Sequence, residues 1–440
     1  MKNKAFITFL SIIMFVVGVI AGIGGLAYIT LPYNEELVVS AGQYYSKSAQ
    51  DDTVAVAKGV QSAEEGAVSV HFLELGNKYT GDCTYIKVGE NIDILIDCGS
   101  KSNSIATVSN YLNNYVTDGV LEYVIVTHAH QDHYAGFATT TKISSIFDLY
   151  ECETIITFAT TNQRTATEYI NSDAVAGDTI STLGITSYAS ESKSVSAMYK
   201  NFTRELTSEL NTTLTKGTKV GQKPVHYTAT EVLSKYEEGK IVLDRNNDIN
   251  LQILNNKFYT EKTASENNYS VCALVSQGDK HFIFTGDLES DGESELVKLN
   301  DLPQVELYKA GHHGSKTSSS ITLLDEIQPK IVCVCCCAGS SEYTPHDYNQ
   351  FPTKQFLINI SQYTTNVYVT TLCEDYDSGK FKSFNGNIVV MAKKEDVQMA
   401  VYCSDNTTKL KDTEWFKNNR LQMCMDVEQG ELGLHTSWQE

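Results

Sequence analysis

Three imidazoles and a carboxylate fall within six residues, His128-Ala129-His130-Gln131-Asp132-His133, directly after the short apolar strand Tyr123-Val124-Ile125-Val126. A buried strand delivers whatever follows it to the edge of a core, where desolvating four such groups without partners is costly. They make sense as borderline nitrogen and oxygen ligands converging on a divalent metal, with zinc the best match. A lone histidine would be bland; this cluster requires a fold in which a strand end opens onto a cation pocket.

Three further pieces end strands in the same manner. Phe284-Thr285-Gly286-Asp287 closes an apolar strand. Alone it reads as an ordinary turn; beside the histidine cluster, Asp287 becomes a candidate bridging carboxylate between two cations. Lys309-Ala310-Gly311-His312-His313-Gly314-Ser315-Lys316 sets two histidines between glycines, where backbone can approach a ligand closely. The bland alternative is a polar turn with solvated histidines. Thr344-Pro345-His346 follows a cysteine-rich strand, and an ordinary surface histidine is its alternative.

Around these pieces the pattern alternates between strand and helix. Residues 68–75, 84–88 and 92–97 read as strands, 104–118 as helix and 123–126 as a buried strand. Strands resume at 249–254, 270–276, 281–285, 305–308 and 331–334, with helical segments near 320–327 and 352–361. This predicts an α/β layered domain over residues 68–395, with helices covering the sheets. The polar, mostly helical stretch from about 190 to 240 reads as an insertion. Residues 33–67 read as a stalk, and 396–440 as a C-terminal extension with one strand and a polar tail.

Hydrophobic residues make up 42% of the 440 and charged residues 20%, which excludes wholesale disorder. Lys+Arg number 34 against Asp+Glu 54, a net charge of -20. A broad basic face for gripping a duplex is thereby excluded. Lys2 and Lys4 precede 27 uncharged residues, Ala5 to Leu31. As a helix this run is about 40 Å long, enough to cross a bilayer of about 30 Å. The flanking lysines put the N-terminus in the cytoplasm and the rest outside. The expectation is a single-pass cell-membrane protein with an extracytoplasmic domain, the alternative being a cleaved signal peptide and a secreted protein. Gly18 and Gly22 have the spacing of a helix-packing pair. Eleven cysteines are an odd number, and four crowd the run Cys333-Val334-Cys335-Cys336-Cys337. They read as small buried residues of a core strand rather than a thiolate metal site, since Cys333 and Cys336 would face opposite ways.

In their order, the four motif pieces resemble the metallo-β-lactamase fold superfamily, whose H-x-H-x-D-H signature matches His128 to His133. Thr285-Gly286-Asp287, Gly311-His312-His313-Gly314-Ser315 and the Pro345-His346 loop look more specifically like the hydrolase domain of ComEC-type DNA-uptake channels. Phe72-Leu73-Glu74-Leu75-Gly76 and Leu95-Ile96-Asp97-Cys98-Gly99 look like the first hairpin of that branch. With a single apolar segment, the chain looks like a stand-alone, single-anchored relative.

The resemblance implies an αββα sandwich behind an N-terminal transmembrane helix, with two divalent metals, zinc or alternatively manganese, at one edge. It implies His128 and His130 on one metal, Asp132 and His133 on the other, Asp287 bridging, and either His312 or His313 completing the second site. Asp132 would also orient the nucleophile. Lys316, Ser315 and His346 lie near these loops in sequence and are candidates to bind a phosphate oxygen or protonate a leaving group. Many family members supply a further histidine between the signature and the bridging aspartate. Here that interval holds only His226 and His281, so the first site is expected to be short of a ligand. The implied function is hydrolysis of a phosphodiester, single-stranded DNA among the substrates. A phosphocholine-type ester, a lactam or lactone, and a non-catalytic binding module are the alternatives. No protein partner is implied.

Overall fold

The strand Ile331–Ala338 shows how the layers are built. All eight residues are buried. Ile331, Cys333 and Cys335 join one apolar cluster; Val332, Val334, Cys336 and Ala338 join another. Successive strand side chains point to opposite faces, so this strand lies in a sheet covered on both sides, as its unbroken apolar run requires.

A computed structural model describes residues 54–58, 66–138, 143–164, 183–190, 194–393, 395–396 and 399–440. The apolar run 5–31 and most of the expected stalk lie outside the described residues. Among the described residues, no helix is long and apolar enough to cross a membrane.

Two large sheets carry the fold. The first has nine strands, in spatial order Val54–Lys58, Met399–Cys403, Ile388–Lys393, Ala67–Phe72, Thr84–Val88, Ile92–Ile96, Val120–Val126, Glu151–Thr157 and Val225–Thr228. The second has eight: Lys240–Asp244, Ile249–Ile253, Ala273–Gln277, Lys280–Phe284, Leu307–Lys309, Ile331–Ala338, Val367–Asp375 and Lys380–Ser383. Val70, Ile86 and Leu95 of the first sheet share a cluster with Leu251, Val275 and Phe282 of the second. Helices Ile321–Ile327 and Lys354–Ser361 bury Leu323, Leu324, Phe356 and Leu357 in the second cluster. Helix Ser104–Leu112 lies on the first sheet, where the Tyr111 hydroxyl meets His71 Nδ1 at 2.7 Å. The layering is mixed α/β: helix, sheet, sheet, helix.

Both sheets contain a parallel block. Ile92–Ile96, Val120–Val126 and Glu151–Thr157 run parallel in the first; Lys280–Phe284, Leu307–Lys309 and Ile331–Ala338 run parallel in the second. Parallel strands end together, and ligand sites in such sheets form beyond their carboxyl ends. The loops that follow these ends hold Asp97, His128 to His133, Asp287 and His312-His313.

The two stretches that broke the sequence pattern both add a strand to the first sheet. The stretch at 190–240 supplies the edge strand Val225–Thr228, parallel to Glu151–Thr157, and the helix Ala197–Asn211, whose Phe202 stacks on Tyr134. The C-terminal stretch beyond 395 supplies Met399–Cys403 and buries Leu410, Phe416, Leu434 and Trp438 in the second cluster. All eleven cysteines are free thiols and all but Cys373 are buried.

Candidate metal centre

Backbone hydrogen bonds tie three loops of the first sheet together before any side chain is considered. Asp82 N–H donates to Asp132 O at 3.1 Å, Cys98 N–H to His133 O at 2.7 Å and Gly99 N–H to Asp82 O at 2.8 Å. At Gly99 a Cβ would collide with the Asp132 carbonyl, so only glycine permits this approach. The second sheet is joined by Val271 N–H to Thr127 O at 2.9 Å, and its own two loops by His312 N–H to Gly286 O at 3.1 Å. Asp97, His312 and His313 hold φ of 58°, 47° and 57°. Non-glycine residues pay strain in this region, and such strain gathers at functional sites.

The side chains converge on one carboxylate. Asp287 Oδ2 lies 3.1 Å from His133 Nε2, 3.3 Å from His313 Nε2, 3.8 Å from His312 Nε2 and 4.0 Å from His128 Nε2. His130 Nδ1 sits 3.0 Å from His128 Nε2. Asp132 Oδ2 is 3.5 Å from His313 Nε2 and accepts a hydrogen bond from the Tyr343 hydroxyl at 3.1 Å. Donor atoms of Asp82, His133, Asp287 and His313 all lie within 4.8 Å of one another. The pocket in front of this hub has a volume of about 460 Å³, lined by Lys101, His130, Gln131, Asp132, Asp287, His312, His313, Glu342, Tyr343 and Phe351.

Behind the hub a second row of groups aims the imidazoles. Asp97 Oδ2 meets His133 Nδ1 at 2.7 Å and also accepts from the Thr127 hydroxyl at 2.7 Å, while Asp97 Oδ1 accepts from the Thr127 amide at 2.8 Å. His313 Nδ1 faces the Cys335 carbonyl at 2.9 Å and Asp82 Oδ1 at 3.1 Å. Lys309, fully buried, forms an ion pair with Asp82 Oδ2. His312 Nδ1 faces the Thr317 hydroxyl at 3.1 Å. Pinning one ring nitrogen leaves the other free for a ligand.

The electrostatics show what the pocket lacks. Asp82, Asp97, Asp132 and Asp287 are set against one buried ammonium, Lys309, which pairs with Asp82: three negative charges are in excess while the imidazoles are neutral, and one is still in excess when His133 and His313 are protonated. Burial pushes the Asp287 and Asp82 carboxyls up, but the surrounding imidazoles, and for Asp82 first Lys309, outweigh it and hold both below the usual range. Burial pushes His133 and His313 down, yet Asp287, helped by Asp97 and Asp82 respectively, pulls both well above the ordinary histidine value. His128, with burial and two histidine neighbours against it, stays neutral with a lone pair to offer. Among the described residues, His133 Nε2, His313 Nε2 and Asp287 Oδ1 are buried without a hydrogen-bond partner. Orphaned donors around a carboxylate hub, in a cluster short of positive charge, fit a divalent cation.

Of the residues marked in the sequence, His128, His130, Asp132, His133, Asp287, His312 and His313 come together. Both histidines of the glycine-flanked pair face Asp287. His226 does not reach the hub; it bonds the Thr157 hydroxyl at 2.9 Å on the edge strand. His281 bonds Ser276 at 2.9 Å, at the opposite end of the strand that leads to Asp287. Lys316 and His346 are exposed and do not line the pocket; His346 stacks on Tyr348, with ring centroids 5.5 Å apart. Asp82, Asp97, Lys309 and Tyr343, which carry the second row and the rim, were not singled out as site residues. Asp97 had one visible signal, an acidic residue ending an apolar strand just as Asp287 does.

Layering, parallel strand ends and donor set agree with the resemblance of the His128–His133 run to the metallo-beta-lactamase superfamily, a class of metal-dependent hydrolases. Residues 76–145 match the family model described as the metallo-beta-lactamase superfamily. Among curated proteins, the chain is 34% identical over 83 residues to ComE operon protein 3 of Bacillus subtilis, 19% of this chain and 11% of that protein. It is 28% identical over 110 residues to Recombination protein 2 of Haemophilus influenzae, 25% of this chain and 13% of that protein. The chain thus matches only about an eighth of the length of either relative. The metallo-beta-lactamase fold protein YhfI of Bacillus subtilis overlays with a TM-score of 0.35 at 11% identity, covering 72% of this chain and 99% of that one. That overlay is loose, and the layering stands on its own strand order.

Proposed function

We propose that the chain is a metal-dependent phosphodiesterase or nuclease, held by its N-terminal apolar segment with the domain outside the cytoplasmic membrane, and acting on phosphodiesters, DNA among them. The observation that carries this reading is the hub: one buried carboxylate oxygen within 4.0 Å of four imidazole nitrogens from two other loops. His128 Nε2 and His130 Nδ1 would hold one cation. Asp132, His133 Nε2 and His313 Nε2 would hold a second, with Asp287 shared. His312, on the same hub, takes the place of the histidine missing between the signature and Asp287. Zinc suits the nitrogen-rich donors and manganese the carboxylates.

Bound there, a pair of divalent cations supplies an activated water and polarises a phosphoryl oxygen. The chain's own contribution is orientation. Asp97 fixes the His133 ring through Nδ1, Asp82 and the Cys335 carbonyl fix His313, and the Tyr343 hydroxyl holds Asp132 at the pocket mouth. Each ligand therefore meets the cation without reorganising.

The test is hydrolysis of bis-p-nitrophenyl phosphate by the purified full chain. Activity that is lost on chelation and restored by zinc or manganese supports the reading. Protein that binds less than about half an equivalent of metal and releases no nitrophenol defeats it.

A further inference from the structure

Lys316 and His346, the side chains that the sequence offered to a leaving group, do not line the pocket, so that contact falls to other residues. Of the lining residues, His130, Asp132, Asp287, His312 and His313 belong to the candidate metal centre, and the Phe351 side chain has no polar atom. Lys101, Gln131, Glu342 and Tyr343 remain. Lys101 Nζ lies 3.7 Å from Glu342, which also accepts from the Thr80 amide at 2.9 Å, so this pair closes on itself. Tyr343 instead places a hydroxyl proton directly on a ligand. It donates to Asp132 Oδ2 at 3.1 Å, and that oxygen lies 3.5 Å from His313 Nε2. The position of the ring is fixed. Gly339 N–H donates to the Phe351 carbonyl at 2.8 Å, closing the loop that follows strand Ile331–Ala338. The Phe351 ring then packs on Tyr343 with centroids 5.7 Å apart, and on His312 and His313 at 5.9 Å. Tyr343 is nonetheless 57% exposed. Its hydroxyl faces the ligands and its ring borders the solvent into which a leaving group departs.

A hydroxyl turns about its C–O bond without moving the ring that carries it. The proton directed at Asp132 can therefore be redirected at no cost in packing. A carboxylate whose charge is drawn to a cation is a weaker acceptor, while an ester oxygen on which negative charge is building is a stronger one. We infer that Tyr343 is a catalytic residue of the proposed phosphodiesterase, donating its hydroxyl hydrogen bond to the leaving oxygen as the ester bond breaks. The inference rests on the phosphodiesterase reading and deepens it, since it gives the departing oxygen a partner in this chain. In the reaction the oxygen of a water bonds to phosphorus. The ester P–O bond breaks and its electron pair goes to the leaving oxygen. Of the two protons of the water, one stays on the phosphate product and the other ends on the leaving alcohol. Tyr343 keeps its own proton throughout; its hydrogen bond strengthens as charge develops and lowers the barrier by that difference.

The test is cleavage of a series of methyl aryl phosphates by the full chain at saturating metal. Their leaving groups run from 2,4-dinitrophenolate, which departs readily, through p-nitrophenolate to phenolate, which departs poorly. Tyr343→Phe keeps the ring and its packing on Phe351 and removes the donor. It should lower kcat for methyl phenyl phosphate about 100-fold. For methyl 2,4-dinitrophenyl phosphate the loss should be less than about fivefold, because that leaving oxygen has little need of a donor. The metal dissociation constant of the variant, read by competition with a chromogenic chelator, should stay within about threefold of the wild type. An equal loss across the series, with a metal dissociation constant raised about tenfold or more, would make Tyr343 a positioning residue for Asp132 and overturn the catalytic role. Wild-type kinetics in the variant would overturn it as well. In both cases the wild type still cleaves the series, and the phosphodiesterase reading stands. A wild type that binds metal yet cleaves no member of the series overturns that reading, and the role of Tyr343 with it.

Discussion

Two of the buried polar clusters among the described residues differ in one respect: the first is satisfied from within the chain and the second is not. On the first sheet, beneath helix Ser104–Leu112, His71 meets Ser69 at 2.8 Å and Tyr111 at 2.7 Å. Beside it Lys87 donates to both oxygens of Asp93 at 2.9 and 3.0 Å, and Tyr85 donates to the same carboxylate. None of these side-chain atoms is left without a partner, and one ammonium balances one carboxylate. Around Asp287 the polar groups are just as deeply buried, but ring nitrogens and a carboxylate oxygen are orphaned and negative charge is in excess. Burial of polar groups therefore does not mark function here. Unsatisfied atoms with unbalanced charge do, because a fold keeps them only if something outside the chain completes them.

The largest expected effect tests the unsatisfied cluster. Asp287→Ala removes the atom on which four imidazoles converge, and should lower kcat/KM for bis-p-nitrophenyl phosphate by more than about 10³-fold while the thermal transition remains cooperative. Activity within about tenfold of wild type would show that Asp287 does not sit at the centre of the chemistry. The satisfied cluster should respond in stability alone. Lys87→Met leaves a carboxylate buried without its counter-charge and should cost about 3–5 kcal/mol in urea unfolding, whereas Lys87→Met combined with Asp93→Leu should recover most of that. A double variant as unstable as the single one would mean that the pair does more than neutralise itself.

The same contrast explains what was legible in the sequence. His128 to His133 could be read because all the donors sit in one strand-end loop, and no structural role accounts for three imidazoles there. Asp287 was legible only beside them. Asp82 and Asp97 were not marked as site residues, since a single acidic residue at a strand end or loop looks like turn chemistry. Their role depends on Asp82 and Cys98 bonding the backbone of residues 132 and 133, and Gly99 that of Asp82, a pairing that local periodicity does not encode. The C-terminal stretch looked like a polar tail because Leu410, Phe416, Leu434 and Trp438 are too widely spaced to show a period. Yet Trp438 is buried, packs on Phe416 and donates Nε1–H to the Thr364 carbonyl at 3.0 Å. The stretch near 190–240 looked like an insertion because its edge strand, Val225–Thr228, is short and only partly buried.

A smaller effect separates the ligands from the groups behind them. Asp97→Asn keeps the shape at His133 Nδ1 but weakens the partner that fixes the ring. It should raise the metal dissociation constant by about 10–100-fold, measured by competition with a chromogenic chelator. Metal affinity unchanged in this variant would leave Asp97 a purely structural residue.

The smallest effect concerns acid stability, and its sign differs between neutral and charge-holding histidines. His226, on the edge strand, is pushed down by burial to about 4. In the unfolded chain a histidine titrates near 6.5. Below that pH the unfolded state takes up a proton that the folded state refuses, so the stability His226 contributes is present above about 6.5 and is lost as pH falls toward 4. The limiting slope is about 1.4 kcal/mol per pH unit. Buried carboxyls such as Glu293, raised by burial to about 7, act in the opposite sense over part of this range, so the useful quantity is the difference between wild type and His226→Gln. That difference in unfolding free energy should shift in favour of the variant as pH is lowered from 6.5 to 4.5. His133 and His313, pulled upward by their carboxylates, make a contribution that is fully present below 6.5 and is lost only as pH rises, whereas His128 and His312, pushed down by burial, add a slope of the same sign as His226 that is common to wild type and variant and cancels in the difference. A pH-independent difference between wild type and His226→Gln would show that His226 accepts a proton in the folded state as readily as in the unfolded one.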